Sequence, residues 1–207
     1  MQRTDTTSST DASRAAARRQ QILIAAAQCF RDHGFHAASI AKISIAAGMS
    51  PGHIYHYFEN KEAIIAAIVA QDLESLLTLT AELRAACNVR EALIERAAEG
   101  VADQLDTDSA ALKLEIVAEA ARNPRVAQIV RDADAACRRE LAVTIRAIRR
   151  VAGHEDSPEA VADMGEVLAC LFEGLLLRSI RNPDLDRQRV ARRIQIAIND
   201  LLDQPGG

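Results

Sequence analysis

Side chains that could bind a metal ion or a phosphate group are concentrated between residues 39 and 61 of this 207-residue chain. His53 and His56 lie three positions apart, a spacing that places two imidazoles on one face of a helix. No third ligand stands near them at a suitable spacing. The chain also shows no nucleophile–base pair and no phosphate-binding loop. We therefore predict no metal site, no catalytic residues and no cofactor.

Two groups of acidic residues could also form a site. Asp103, Asp106 and Asp108 resemble a metal-binding cluster, but their spacing is more typical of the end of one helix and the cap of the next. Glu115 and Glu119 are four residues apart and share one helix face. They could be paired carboxylates in a pocket or ordinary surface residues, and we favour the surface.

The cysteines and the hydropathy pattern indicate the compartment. The four cysteines are widely separated and form no C-x-x-C pair, which favours free thiols in a reducing environment. They are Cys29, Cys87, Cys137 and Cys170. No stretch approaches the roughly 20 uninterrupted apolar residues of a membrane span, and the Thr/Ser-rich start lacks the apolar core of a signal peptide. We expect a cytoplasmic protein that does not bind membranes.

The segment from residue 39 to residue 61 has the pattern of a helix, a tight turn and a short second helix. Ser39 suits the N-cap of the first helix, and Gly48 suits a left-handed turn position. Ser50 and Pro51 are typical of the cap and the first position of the second helix. The apolar residues of this segment predict the side that faces the core: Ile40, Ile43, Ala47, Ile54 and Phe58.

The remaining residues of the second helix are small, polar or aromatic, which is unusual for a solvated helix surface. They are Ser50, Gly52, His53, Tyr55, His56 and Tyr57. One short helix cannot bury four consecutive large side chains, so Tyr55, His56 and Tyr57 should point away from the core. Such a surface suits a helix that enters the major groove of DNA, where polar groups and aromatic edges meet bases and phosphates.

The chain as a whole reads as all-α, with about nine helices and no convincing strand pattern. We expect helices near residues 12–33, 40–47, 51–57 and 61–86, a fifth that Asn88 opens, a sixth from Asp108 or Ser109 to residue 123, and three more near 124–153, 158–182 and 186–203. Gly34 is expected to end the first helix. Helix 4 should span both parts of the protein, because no Pro/Gly/Ser-rich linker separates them.

Charge is distributed unevenly along the chain. Net charge is −4, yet residues 1–61 carry seven basic and four acidic side chains, so the remainder carries −7. A basic head on an acidic body is typical of a protein that contacts phosphates with one end only.

At the level of motifs, the chain resembles the TetR family of transcription regulators. The resemblance rests on Gly34-Phe35, on Ala46-Ala47-Gly48, on Ser50-Pro51-Gly52, on Ile54-Tyr55-His56-Tyr57-Phe58 and on Asn60-Lys61-Glu62. It covers residues 14–69, and the segment 115–141 looks like the regulatory half of some members. The resemblance implies a DNA-binding regulator, more often a repressor than an activator, that leaves a palindromic operator when a small molecule binds.

The resemblance also implies which residues contact DNA. Ser39 matches a phosphate contact at the start of helix 2, and Lys61 matches a phosphate-binding lysine at the start of helix 4. Lys42 stands where an acidic or polar residue is common, and it should add a phosphate contact or remain solvated. The complete predicted set is Ser39, Lys42, Ser50, Pro51, Gly52, His53, Tyr55, His56, Tyr57 and Lys61.

We divide the chain on this basis into four parts. Residues 1–13 are expected to form a disordered N-terminal arm, and residues 14–60 a three-helix helix-turn-helix domain. Residues 61–203 should form a helical domain for ligand binding and dimerisation, followed by a tail at 204–207. The wide apolar stripes of helices 158–181 and 186–203 predict a homodimer, which two DNA half-sites roughly 34–36 Å apart would also require.

The effector is expected in the C-terminal domain, where Phe172 is the only aromatic residue. That scarcity disfavours a quaternary ammonium ligand, which needs stacked rings. Apolar helix faces predict a lining of Leu73, Leu77, Leu114, Val117, Ala118, Leu141, Phe172 and Leu175. A transcriptional activator of the same fold, a helical protein-interaction module without DNA binding and a helical enzyme remain as alternatives.

Overall fold

The computed structural model describes residues 5–204, with side chains from residue 12 onward. The described part contains nine α-helices and no strand, which confirms the predicted all-α class. The helices are α1 (Asp5–Ala37), α2 (Ile40–Ala46), α3 (Pro51–Tyr57), α4 (Lys61–Ala85), α5 (Val89–Gln104), α6 (Thr107–Ala120), α7 (Pro124–Val151), α8 (Pro158–Arg181) and α9 (Arg187–Asp203).

The first helix differs from its prediction at its start. It begins at Asp5, so the part of the expected disordered arm that the structure describes is helical instead; residues 1–4 lie outside the described residues. The physical reason is that nucleation is the costly step in helix formation, and extending a nucleated helix costs little. At the other end, Gly34 has φ of 73° and ψ of 162°, which kinks α1 as its glycine predicts.

Helices α1 to α3 and the start of α4 form the head of the protein. Their shared core contains Phe30, Ile43 and Ile54, all essentially without solvent exposure. The expectation that α4 belongs to both parts is supported, because Ile64 in its first turn lies in this same core. The core also includes Ile116 of α6, so it extends past the predicted boundary at residue 60.

Helices α4 to α9 form the body, in which α7 and α8 run antiparallel to each other. Along α7 and α8, Arg149 pairs with Asp156, and Arg138 pairs with Glu166 at 2.7 Å. The residue numbers rise along one helix as they fall along the other. The same order holds for α5 and α9, where the Gln195 side chain donates to the carbonyl of Ile94 at 2.9 Å.

Two arginines fasten the C-terminal turn of α9 to the body. The guanidinium of Arg149 is fully buried; it donates to Asp156 at 2.5 and 2.6 Å and to the carbonyl oxygen of Leu202 at 2.7 Å. Arg90 of α5 lies 2.7 Å from Asp203 and donates to Asn199. These contacts hold α9 against both α5 and α7.

Side-chain caps account for several helix starts in the body. Asn88 caps α5: its side-chain oxygen accepts from the Glu91 amide and its side-chain nitrogen donates to the Glu91 carboxylate, both at 3.2 Å. Asp106 caps α6 by accepting from the Ser109 amide at 2.8 Å. The prediction that the aspartates near residue 106 end one helix and cap the next is therefore confirmed.

Within the described residues, α4 alone is long and apolar enough to pass a length-and-composition test for a membrane span. Its first turns are buried in the head core, and its exposed face carries Glu74 and Glu82. Core helices of soluble proteins commonly pass the same test.

Candidate nucleic-acid interface

The short helices α2 and α3 are each started by a serine and joined by a glycine turn. The Ser39 hydroxyl accepts from the Lys42 amide, and the Ser50 hydroxyl accepts from the His53 amide, both at 3.2 Å. Gly48 adopts φ of 63°, which L side chains rarely adopt. The predicted caps and the predicted left-handed turn are thus confirmed, and the two helices meet at a fixed angle.

Buried side chains anchor this unit to α1. Ile43, Ala47, Ile54 and Phe58 are all buried, and Ile40 is partly buried, as the apolar pattern predicts. Sequence reasoning missed one polar anchor. The side-chain amide of Gln21 in α1 donates to the carbonyl of Ala47 at 2.7 Å, which holds the C-terminal end of α2. A glutamine on a helix face gives no local signal of such a partner 26 residues away.

The outer face of α3 carries the residues predicted to read DNA. The structure brings together six exposed positions of the predicted set, which are Ser50, Pro51, Gly52, His53, Tyr55 and His56. Tyr55 is 57% exposed although its neighbour Ile54 is fully buried, so the two faces of α3 differ sharply. On the adjoining helix, Ser39 and Lys42 are also exposed.

Tyr57 departs from its expected outward orientation. It is only partly exposed and packs against the head core, because the last turn of α3 lies close to the other head helices. Its ring meets those of His53 and His56 edge-on, with centroids 5.4 and 5.2 Å apart. The Tyr57 ring therefore packs against both the His53 and the His56 side chains.

Lys61 is also more enclosed than a simple phosphate contact requires. Its ammonium donates to the carbonyl oxygen of Phe35 at 2.5 Å and lies 4.2 Å from the centre of the Phe35 ring. Burial lowers the pKa of Lys61 below its usual value, and the nearby Glu62 and Glu119 partly oppose that shift. Lys61 thus fastens the end of α1 to the start of α4, and its place in DNA binding stays a prediction.

The end of α1 also meets two carboxylates of α6, at a surface we call the head–body junction. Glu115 accepts from the Phe35 amide at 2.7 Å. Glu119 is 1% exposed, and its carboxylate lies 3.0 Å from the His36 imidazole and 3.1 Å from the Asn123 side chain. The preference for a surface location of these two glutamates is therefore wrong for Glu119, because packing of α6 against α1 covers it.

The eight predicted effector-lining residues lie in different surroundings. Leu141, Phe172 and Leu175 belong to the apolar clusters of the body, and the ring of Phe172 packs directly against Gly100. The others are half-buried except Val117, which is 56% exposed. This lining stays a prediction.

An open groove of about 580 Å³ lies on another face of α4, and it contains none of those eight residues. Its lining consists of Gln71, Glu74, Ser75, Thr78, Leu79, Glu82 and Arg96. Within the described residues, no group of three or more His, Cys, Asp or Glu side chains is arranged to hold a metal ion.

Two segments of the chain match known protein families. Residues 22–68 match the family described as bacterial regulatory proteins of the tetR family. Residues 89–203 match the C-terminal domain described as that of a BetI-type transcriptional repressor. This second match spans more than half of the chain.

Similar proteins with curated names are regulators too. The chain is 36% identical over 114 residues to the HTH-type transcriptional regulator UidR of Escherichia coli K12, a match that covers 55% of this chain and only 57% of UidR. It is 30% identical to the HTH-type transcriptional repressor Rv1474c of Mycobacterium tuberculosis over 90% of this chain and 94% of that protein.

Solved structures show the same fold. GusR of Salmonella enterica superposes with a TM-score of 0.75 at 29% identity, covering 91% of this chain and 96% of that one. A transcriptional regulator from Saccharomonospora viridis in complex with choline gives a TM-score of 0.68 at 21% identity, covering 91% and 97%. At 21% identity this second likeness shows the fold alone. The family matches, the full-length relative and the helix-turn-helix together show that this chain belongs to the TetR family of DNA-binding transcriptional regulators.

Proposed function

We propose that this regulator acts as a homodimeric repressor, which binds a palindromic operator through α2 and α3 and is released by a small-molecule effector. The main support for the proposal is that the two faces of α3 differ. One face buries Ile54 in the head core, and the other exposes His53, Tyr55 and His56 to solvent. A full-length relative that is named a repressor supports repression over activation. We assign the protein no catalytic step and place it in the cytoplasm, where its operator lies.

The DNA-facing residues fall into two roles in this proposal. His53, Tyr55 and His56 approach base edges from the major groove, where imidazole and phenol groups can donate or accept hydrogen bonds. Ser39 and Lys42 contact phosphates, since a hydroxyl and an ammonium group can both donate to phosphate oxygens. Phosphate contacts position the head and base contacts select the sequence.

Fluorescence anisotropy tests DNA binding directly. The purified protein is titrated into its own upstream DNA and into a scrambled duplex across a salt series. Tight binding to the upstream DNA alone, weakening steeply with salt, is the expected result, because each neutralised phosphate releases counterions. Equal and weak binding to both duplexes would contradict the proposal for this promoter.

Dimerisation through α8 and α9 is supported by apolar side chains that the single chain leaves exposed. Val167, Leu177 and Ile180 of α8 are 45–51% exposed, and Ile196 of α9 is 50% exposed. Val167 and Leu177 lie on one stripe of α8 together with Cys170 and Gly174, because these positions are successively three or four residues apart. A second copy would cover this stripe and bring two heads to one DNA site.

The effector is proposed to bind in the body and to favour a dimer whose heads no longer fit the operator. Its effect on DNA affinity then equals its differential affinity for the two states. We propose that it is not a quaternary ammonium compound, although one fold relative is in complex with choline. The support is that Phe172 of α8, the one aromatic residue of the body, has its ring packed against Gly100 of α5.

Choline itself provides the test of this effector class. We expect that adding choline to the protein–DNA complex leaves its anisotropy and salt dependence unchanged. Release of the DNA by choline at concentrations where sodium chloride has no effect would overturn this part of the proposal and leave DNA binding intact.

A further inference from the structure

Six arginines are concentrated around the turn between α8 and α9. They are Arg178, Arg181, Arg187, Arg189, Arg192 and Arg193, here called the arginine cluster. All six are exposed. Residues 178–193 contain only two acidic side chains, Asp184 and Asp186, so this segment carries +4 within a body that is otherwise strongly acidic.

These guanidinium groups form no ion pair with any of the described residues. In the part of the chain that the structure describes, no carboxylate lies within 4.0 Å of any of the six. Asp186 instead caps α9 by accepting from the Arg189 amide at 2.9 Å. Two arginines elsewhere in the body are paired in this way, Arg84 with Glu140 at 2.9 Å and Arg90 with Asp203 at 2.7 Å.

The antiparallel register of α7 and α8 indicates the end of the body where this cluster lies. Arg149 and Asp156 are paired at one end, and Arg138 and Glu166 are paired further along. Extending that register places the end of α8 near the start of α7, about 37 Å from the Arg149 pair at 1.5 Å per residue.

The start of α7 is the end of the body that touches the head. The Asn123 side chain, which caps α7, donates to Glu62 in the first turn of α4 at 3.2 Å. The register of α5 and α9 agrees, because Gln195 lies beside Ile94 and the start of α9 therefore lies near the end of α5. The turn between α8 and α9 is accordingly on the side of the body that faces the heads.

From this placement we propose that the arginine cluster is a second DNA-binding surface, which contacts the phosphates at the centre of the operator between the two half-sites. The inference rests on the proposed homodimer. A two-fold axis that directs both heads to one duplex also directs both clusters to that duplex, so up to twelve arginines face the same stretch of DNA. Guanidinium groups bind phosphates well, and unpaired exposed ones do so without first breaking an ion pair.

Two double variants with equal charge change test the proposal. Arg181→Gln with Arg187→Gln removes two charges at the turn between α8 and α9. The matched control is Arg146→Gln with Arg150→Gln, which removes two exposed charges near the far end of α7. Circular dichroism and sedimentation first establish that both variants are folded and have the oligomeric state of the unmodified protein. The slope of log K against log salt is then measured on upstream DNA that extends past both half-sites.

The expected result is a shallower salt slope for the turn variant alone, by up to about 3.6 for four arginines per dimer, since each phosphate contact contributes about 0.9. Slopes that are equal for the two variants would overturn the proposal. A loss of binding to anionic phospholipid vesicles with an unchanged DNA slope would also overturn it, because the cluster would then serve a membrane surface. Failure of the unmodified protein to bind the upstream DNA is a separate result that counts against the proposed function instead.

Discussion

At the scale of single residues, two neighbouring positions of α3 have different roles. One stabilises the head core, and the other is proposed to contact DNA. Ile54 has no solvent exposure and belongs to the head core, whereas Tyr55 is 57% exposed. Buried apolar groups supply most of the folding free energy, and exposed aromatic groups contribute little to it. Substitutions at the two positions should therefore affect different measurements.

We expect Tyr55→Ala to weaken binding to upstream DNA about tenfold or more, because a specific groove contact is worth about 1–3 kcal/mol. Its unfolding free energy should stay within about 0.5 kcal/mol of the original value. The control is Ile54→Ala, for which urea denaturation should show a loss of about 2–5 kcal/mol. Unchanged DNA affinity of a folded Tyr55→Ala protein would remove Tyr55 from the interface.

His36 is the residue nearest to a buried carboxylate. Its imidazole lies 3.0 Å from Oε2 of Glu119, an atom that forms no hydrogen bond of good geometry within the described residues and that is also 3.5 Å from the guanidinium of Arg122. We expect His36→Ala to destabilise the protein by about 1–3 kcal/mol in thermal or urea unfolding, since it removes the nearest polar partner of a buried carboxylate. The control His33→Ala, at an exposed position of the same helix, should be nearly neutral. Equal stability of the two variants would show that Glu119 does not depend on His36.

At the scale of elements, a buried ion pair fixes the ends of three helices. Arg149 of α7 bonds both Asp156 before α8 and the Leu202 carbonyl of α9. The hydrogen bonds from Arg149 hold the pKa of Asp156 below its usual value. A carboxylate with a lowered native pKa stabilises the fold above its unfolded pKa of about 3.9, and this stabilisation is lost as the pH falls through the lower native pKa.

Asp156→Asn should therefore destabilise the protein by about 3 kcal/mol at pH 7, because it leaves the Arg149 charge buried without its counter-ion. The difference between the two proteins should shrink as the pH is lowered below about 4. Urea unfolding at a series of pH values measures it. Glu166→Gln in the exposed pair with Arg138 serves as the control and should show no such pH-dependent difference. A difference that persists unchanged at low pH would contradict this role for Asp156.

The elements also show which features the sequence could predict. Helix starts were predictable at Ser39, Ser50 and Asn88, because a cap and its amide partner lie within three residues of each other. The two-sided pattern of α3 was predictable for the same local reason. The burial of Glu119 was not, since it arises from contact of α6 with a helix more than 80 residues earlier in the chain. The enclosure of Lys61 by Phe35 has the same kind of cause.

At the scale of the whole molecule, the apolar stripe of α8 and α9 determines the oligomeric state that we propose. Val167→Glu places a charge in that stripe, where a partner would desolvate it. Analytical ultracentrifugation should show a shift from dimer towards monomer, together with at least a tenfold loss of affinity for an operator with two half-sites. Val151→Glu, at a 92% exposed position of α7, is the matched control and should remain dimeric. A dimer that tolerates Val167→Glu would indicate a different interface.

The head core contains two residues of the body, Ile116 of α6 and Val126 of α7. A fragment cut after residue 60 would lose these side chains along with Ile64 and Ile68, and the remaining apolar groups would face water. The helix-turn-helix should therefore have no separate melting transition of its own, and calorimetry of the full chain should record head and body unfolding as one cooperative event. In the function that we propose, a movement of the body would reach the head through these packed side chains, because no flexible linker separates the two parts.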